Sequence, residues 1–155
     1  MAVDEPTVSR PHMPGYGIDE TLGGTLPWAW AVEIVNRVRN HTIVSVRPDG
    51  RPHAMPVWGL WFGGAYGMST AITSVKSQNL MAAPACAVSV VDGDDAVVIE
   101  GRAAVTPAPE GFREAYVTKY GEGFPDGPIW WITPTVAFGF RATDEFSSSA
   151  TRWGF

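Results

Sequence analysis

One cysteine, three histidines and few charges of either sign leave this 155-residue chain little side-chain chemistry of its own. The lone Cys86 excludes an internal disulfide and fits a reducing compartment. It sits in the apolar run Ala85-Cys86-Ala87-Val88, where a thiol acts as a small buried hydrophobe rather than a nucleophile. His12, His41 and His53 are scattered and, with one thiol, make no metal-binding pattern. His53 has no acidic neighbour in sequence and reads as a packing or dimer-contact residue. Asp92, Asp94 and Asp95 crowd together, but with the spacing of a hairpin turn and not of a calcium loop. No basic–apolar leader and no apolar run near about 20 residues is present, so the expectation is a soluble, cytoplasmic protein. Charged residues make up only 17 %, and the net charge of −5 argues against nucleic acid as the main partner.

What is present is an apolar content of 45 % and seven tryptophans, enough for one folded domain with a substantial core. The aromatics fit two roles equally: core filling, or lining an interface or a flat ligand. Residues 1–24, rich in Pro, Gly and acids, read as an extended arm, and residues 25–155 as the folded domain. The arm carries Ser9-Arg10-Pro11-His12-Met13-Pro14-Gly15-Tyr16-Gly17, too aromatic for a mere tail. Thr25-Leu26-Pro27 opens a helix with a hydroxyl near its cap. Ala31, Ile34, Val35 and Val38 share one face of it, and Glu33 and Arg37 form an i,i+4 pair.

The period then changes to two. Strands are predicted over 41–47, 51–62, 65–70, 85–91, 95–105 and 129–141, the last bent near Pro134. Pro48-Asp49-Gly50, Gly63-Gly64 and Asp92-Gly93-Asp94 are the turns. Pro52 and Pro56 mark a bulge, an edge, or backbone freed to face a ligand. Glu100 is expected to face inward or an interface as an ion-pair partner. Trp130 and Trp131 fall on opposite faces of their strand; Trp58 shares a face with Leu60 and opposes Trp61. Helices are expected at about 74–82 and from Thr106-Pro107 to a stop at Gly121, followed by a loop from Gly121 to Pro128. Short hairpin turns and this element order predict a mainly β fold, an antiparallel barrel with peripheral helices.

The most informative stretch runs from Gly67 to Leu80. It reads as a strand ending in the hydroxyls of Ser69 and Thr70, then a helix capped by Ser74 with Lys76 in its first turn. Unpaired N–H groups at a helix start, hydroxyls and an ammonium together suit an anion, most naturally a phosphate. Taken singly, Ser74 is also an ordinary N-cap and Lys76 an ordinary surface residue. With no acid–base or nucleophile machinery elsewhere, any chemistry is expected to come from a phosphorylated cofactor.

Arg47-Pro48-Asp49-Gly50-Arg51-Pro52-His53-Ala54-Met55-Pro56-Val57-Trp58, then Ser69-Thr70, Ser74-x-Lys76 and Asn79-Leu80, resembles the split β-barrel flavin-binding family of pyridoxamine 5′-phosphate oxidases. The ending Thr151-Arg152-Trp153-Gly154-Phe155 is similar to that of its deazaflavin F420-dependent reductases. The resemblance implies a six-stranded Greek-key barrel and a homodimer whose cofactor lies in a groove between subunits. By that likeness Met55, Pro56, Val57 and Trp58 lie along the flavin ring. Ser69, Thr70, Ser74 and Lys76 hold the phosphate, Asn79 belongs to the same motif, and Arg152 and Trp153 close the site. Relatives commonly carry Ser-Arg-Lys where this chain has Ser74-Val75-Lys76, which removes a bidentate phosphate fork. Arg47, Arg51 and Arg141 are candidate substitutes by residue type.

Three functions remain open at this level. One is an oxidoreductase using reduced coenzyme F420 to deliver hydride to a planar, electron-poor molecule such as an enone, a quinone-like ring or a tetrapyrrole, which needs no side-chain base. The second is an FMN-dependent relative. The third is a non-catalytic ligand-binding barrel. Pyridoxamine phosphate oxidation itself is not expected, because the Arg-rich C-terminal strand of those enzymes is missing.

Overall fold

The period-two segments pair into one antiparallel sheet of nine strands; this computed structural model describes residues 5–121, 124 and 128–155. The strands are β1 (Thr7–Ser9), β2 (His41–Val46), β3 (Pro52–Val57), β4 (Gly59–Phe62), β5 (Ala65–Met68), β6 (Ala85–Asp92), β7 (Asp95–Thr106), β8 (Ile129–Arg141) and β9 (Thr151–Gly154). The helices are α1 (Trp28–Arg37), α2 (Val75–Ala82), α3 (Phe112–Tyr120) and the single turn α4 (Phe146–Ser149). The ladder runs β1-β9-β8-β7-β6-β2-β3, with β5 also on β8 and β4 on β5. The long β8 is the branching strand: its first half pairs β5 through Trp130–Ile132 and its second half pairs β9 through Val136–Gly139.

The expected single strand over 51–62 is two strands, broken at Trp58. The β3 half pairs only β2 and the β4 half only β5, so chain continuity at Trp58, and no ladder, joins the two flanks. The break also voids the face assignment made across it: Trp58 is exposed while Leu60 and Trp61 are both buried. Pro52 and Pro56 are accommodated because β3 is an edge of the ladder, where a missing N–H costs nothing on the open side. Gly63 (φ 56°) and Gly64 (φ 89°) make the two-residue turn between β4 and β5, a left-handed pair that favours glycine. Asp92 and Asp95 close the β6–β7 hairpin as read from the sequence.

Other boundaries moved for local reasons. α3 starts at Phe112 rather than at Pro107, because Pro107 and Pro109 hold the residues before them extended and Gly111 enters with φ 81°. The Thr25 hydroxyl donates to the Leu22 carbonyl instead of capping α1, whose N-cap is Pro27 without a side-chain cap. Strand β5 ends at Met68, leaving Ser69 and Thr70 beyond it. Glu100 is exposed and makes no ion pair among the described residues, because it sits beside a register shift opposite Pro134 and Val136, where the expected bend occurs. The loop expected over 121–128 lies largely outside the described residues, as do the first four residues of the arm.

The main core gathers Ala31, Ile34 and Val35 of α1 against Ile43, Val88, Val97 and Ile99 of the sheet. A second, aromatic cluster packs Phe112, Tyr116 and Tyr120 of α3 on Leu60 and Ile129. The arm is part of the sheet, since β1 pairs β9. Arg10 fixes it: its guanidinium donates to the carbonyls of Thr21, Gly23, Ser148 and Ala150 at 2.6–2.8 Å. Among the described residues no helix is long and apolar enough to cross a membrane.

Candidate functional site

The start of α2 is built by Ser74 and Ser77. Ser74 is the N-cap, its Oγ accepting from the Ser77 N–H at 3.2 Å. The buried Ser77 Oγ donates to the Ala71 carbonyl at 2.8 Å and accepts from Trp130 Nε1 at 2.9 Å, tying the helix start to β8. Ser74 is thus committed to capping, and Lys76 remains without a hydrogen-bond or ion-pair partner among the described residues.

Lys76, Ser69, Thr70, Pro56, Val57 and Trp58 meet at one cavity of ≈ 370 Å³, together with Asn40 and Tyr116. A second cavity of ≈ 410 Å³ shares Ser69, Thr70 and Tyr116 and extends past Ile72, Val105 and Trp130. Through these shared residues the two adjoin as one depression from β3 to β8, with polar groups at Lys76, Ser69 and Thr70 and apolar walls at Trp58, Ile72 and Val105. Sequence reasoning missed Asn40 and Tyr116 as lining residues. Tyr116 falls inside the helix expected before Gly121, and nothing in sequence brings that helix across to β5. Burial raises the Tyr116 hydroxyl above its ordinary pKa, so it stays protonated at neutral pH.

Trp58 is 40 % exposed yet fixed. Its ring stacks on Tyr120 (centroids 4.7 Å, 8° between planes), its Nε1 donates to Asn40 Oδ1 at 3.1 Å, and Arg39 lies 5.4 Å from its centroid. Behind it Tyr120 Oη accepts from the Gly59 N–H at 2.9 Å. Lys119 Nζ donates to the Val35 and Gly59 carbonyls, both at 2.8 Å. Burial, with Arg39 nearby, lowers the Lys119 ammonium to about 7. A flat, pre-placed aromatic face therefore stands at the mouth of the depression.

Not every sequence-predicted residue joins it. Asn79 is buried, donates Nδ2–H to Ser45 Oγ at 3.1 Å, and lines a different cavity of ≈ 430 Å³ with Arg47, Arg51, Thr73 and Val75. Met55 is exposed on β3 beside Pro56, outside the cavity. Trp153 is fully buried in the core, edge-on to Trp28 at 5.1 Å, and Arg152 is half-buried opposite Ser9 and Phe138; neither lines the depression. Arg141 points the other way, toward Trp30 and Glu145.

Residues 30–140 match the sequence profile of the family described as Pyridoxamine 5′-phosphate oxidase. Among curated proteins no sequence matches. Among solved structures, an F420 reductase is 26 % identical, with TM-score 0.58 over 68 % of this chain and 93 % of its own. A conserved hypothetical protein from Mycobacterium tuberculosis is 22 % identical, with TM-score 0.65 over 76 % of this chain and 86 % of its own. A heme binding protein from Mycobacterium smegmatis is 18 % identical, with TM-score 0.59 over 70 % of this chain and 51 % of its own. The last two are similar in fold alone.

Proposed function

The chain belongs to the pyridoxamine 5′-phosphate oxidase family, and we propose that within it the protein is an oxidoreductase that binds coenzyme F420 and reduces a conjugated, electron-poor small molecule. One observation carries this reading: an unpartnered Lys76 beside Ser69 and Thr70, in the same cavity as the pinned, exposed Trp58 and adjoining an apolar stretch past Ile72 and Val105. A phosphorylated cofactor with a flat ring fits that division, anion at the polar end and ring along the apolar one. The likeness to an F420 reductase favours deazaflavin over FMN.

When bound, the deazaflavin supplies a two-electron hydride donor, and the protein need only hold, orient and desolvate. Ser69 and Thr70 hydroxyls and the Lys76 ammonium would hold the phosphate. The backbone of Met55, Pro56 and Val57, on the open side of an edge strand, would meet the polar rim of the ring. The Tyr116 hydroxyl, kept protonated by burial, is placed to donate a proton from the wall of the depression. We read β2, β3–β4, β5, β6, β7 and β8 as a six-stranded split barrel, the split lying at Trp58. A second copy of the chain would cover the exposed Met55, Ile72 and Val105, giving a homodimer with one cofactor groove at each side of the interface. In that arrangement Arg152 reaches a site only if the partner's groove passes the β1–β9 end of the sheet.

Fluorescence anisotropy of F420 with the purified protein tests the reading. Micromolar binding is expected, and Lys76→Ala should weaken it about ten- to hundredfold, the range of a charge-assisted hydrogen bond. Retained yellow FMN, with no F420 binding, would replace the cofactor and leave the site. No binding of either would leave a non-catalytic barrel.

A further inference from the structure

Val75, where relatives commonly carry arginine, lines a cavity together with two arginines of the facing hairpin. Register pairs Ser45 with His53, and the next pair on the same face toward the hairpin tip is the half-buried Arg47 with the exposed Arg51. These four side chains share one face of the β2–β3 hairpin. The first turn of α2 lies over that face, with Asn79 bonded to Ser45 and Val75 and Thr73 lining a cavity of ≈ 430 Å³ with Arg47 and Arg51. An arginine at position 75 would enter a space that already holds two guanidinium groups.

Three observations single out Arg47 and His53. Arg51 is neutralised by Asp49, whose Oδ2 accepts from its Nε at 2.9 Å. Arg47 makes no side-chain hydrogen bond or ion pair among the described residues, and neither does Lys76. His53 is only 6 % exposed, and its Nδ1 is buried without a hydrogen-bond partner. A buried polar nitrogen left unpaired is costly unless something absent from the chain satisfies it. Burial, with Arg47 and Lys76 nearby, holds the imidazole pKa below the ordinary value; the Asp49 carboxylate also feels Arg47, but its hydrogen bonds go to Arg51. Two unpaired cations and an unsatisfied ring nitrogen around a helix start describe an anion's partners without the anion.

We propose that Arg47, from the neighbouring cavity at the start of α2, and His53 reach the phosphate site begun by Ser69, Thr70 and Lys76, the Arg47 guanidinium taking over from the hairpin side the role of the helix arginine that Val75 replaces. The ligand group is a phosphate monoester or diester, and the proposal rests on the cofactor-binding reading above. Without an anion the neutral ring leaves Nδ1 orphaned. With one, a protonated His53 donates Nδ1–H to it.

The test compares two ligand pairs: F420 and the same deazaflavin lacking the phosphate, and FMN and riboflavin. Arg47→Ala should weaken the phosphate-bearing member about ten- to hundredfold and leave the phosphate-free member within about twofold. Adding Val75→Arg to Arg47→Ala should restore most of the loss, because it returns a guanidinium to the same space from the helix. In NMR, His53 ring resonances of the wild type should shift toward the protonated form on adding the phosphate-bearing ligand, and not with its phosphate-free partner. Equal binding by wild type and Arg47→Ala, or an unmoved His53, overturns the proposal while leaving the cofactor reading intact. If no chromophore binds, that reading fails, and titration with inorganic phosphate decides this one. A His53 shift that Arg47→Ala abolishes sustains the anion pocket, and its absence ends it.

Discussion

Replacing Lys119 by methionine should make the gap in stability between wild type and variant widen as pH rises above neutrality. Lys119 Nζ is held by the Val35 and Gly59 carbonyls, both at 2.8 Å, and lies 3.4 Å from His41 Nε2. His41 Nε2 also faces the Val38 carbonyl at 2.8 Å and Nδ1 faces Tyr66 Oη at 2.7 Å. These partners assign a neutral ring that donates from Nε2 and accepts at Nδ1. Burial and the neighbouring Lys119 lower His41 to about 4, and burial lowers Lys119 to about 7. An amine depressed in the folded state binds fewer protons there than in the unfolded chain, so its burial cost is fully present below its folded pKa and is relieved as pH rises toward its unfolded value. The limiting slope is about 1.4 kcal/mol per pH unit. Between about pH 7 and pH 8.5 it permits roughly 2 kcal/mol, and partial exposure of the side chain reduces this to about 1 kcal/mol. His41 is neutral in both states in that window. The Cys86 thiol, raised by burial to about 12, enters with opposite sign only near and above the pKa of an unfolded thiol. In the variant Gly59 O keeps the Tyr120 hydroxyl at 2.8 Å, while Val35 O loses its donor, a cost of about 1–3 kcal/mol independent of pH. Urea unfolding of both proteins across the window reads the difference. Parallel stability curves would mean that Lys119 titrates as a free lysine, and the linkage argument would be wrong.

Gly139→Ala should cost about 1–3 kcal/mol in urea or thermal unfolding, because a Cβ there meets the Trp153 ring and lies 2.9 Å from Trp30 Cζ3. Trp153 is fully buried in the core and cannot swing away, whereas Trp30 is only partly buried; a neutral result would show that the β8–β9 packing yields to a methyl group. Arg10→Ala should release the arm, since one guanidinium holds carbonyls at residues 21, 23, 148 and 150. Limited proteolysis within residues 5–24 should become faster while the main unfolding transition barely moves, and an unchanged cleavage pattern would place the arm's anchorage in the β1–β9 pairing instead.

The long strands, the three hairpin turns and the helix at Ser74 were legible because each rests on local chemistry: alternation of side chains, glycine in left-handed turns, a serine cap. What escaped was non-local. The arm and the tail each show too few residues for a period, and become strands because the tail pairs β8 and the arm pairs the tail. Strand 51–62 looked continuous because its residue types suit β structure on both sides of Trp58. Its break is set by a change of partner, β2 before and β5 after, which no window along the chain contains. Arg10 read as one charge in a proline-rich segment, and its role depends on carbonyls more than a hundred residues away.

The candidate site divides along the same line. Ser69, Thr70 and Lys76 lie within eight positions of one another, so a strand end and a helix start capped by Ser74 suffice to bring them together. Tyr116 and Asn40 enter from α3 and from the turn after α1, and only the packing of the aromatic cluster delivers them. Position 75 shows how local reading misleads even where it is sharp. Judged along the chain, valine in place of arginine is a missing cation and an argument for weak binding. Judged across the cavity, Val75 faces Arg47 and Arg51, and a third guanidinium in that space would meet like charge in a partly buried setting. The cation has then not been lost from the pocket but sits on the sheet, with His53 Nδ1 beside it unpaired. What distinguishes the two views is whether a phosphate is felt by a strand residue, and the exchange of Arg47→Ala for Val75→Arg measures that directly.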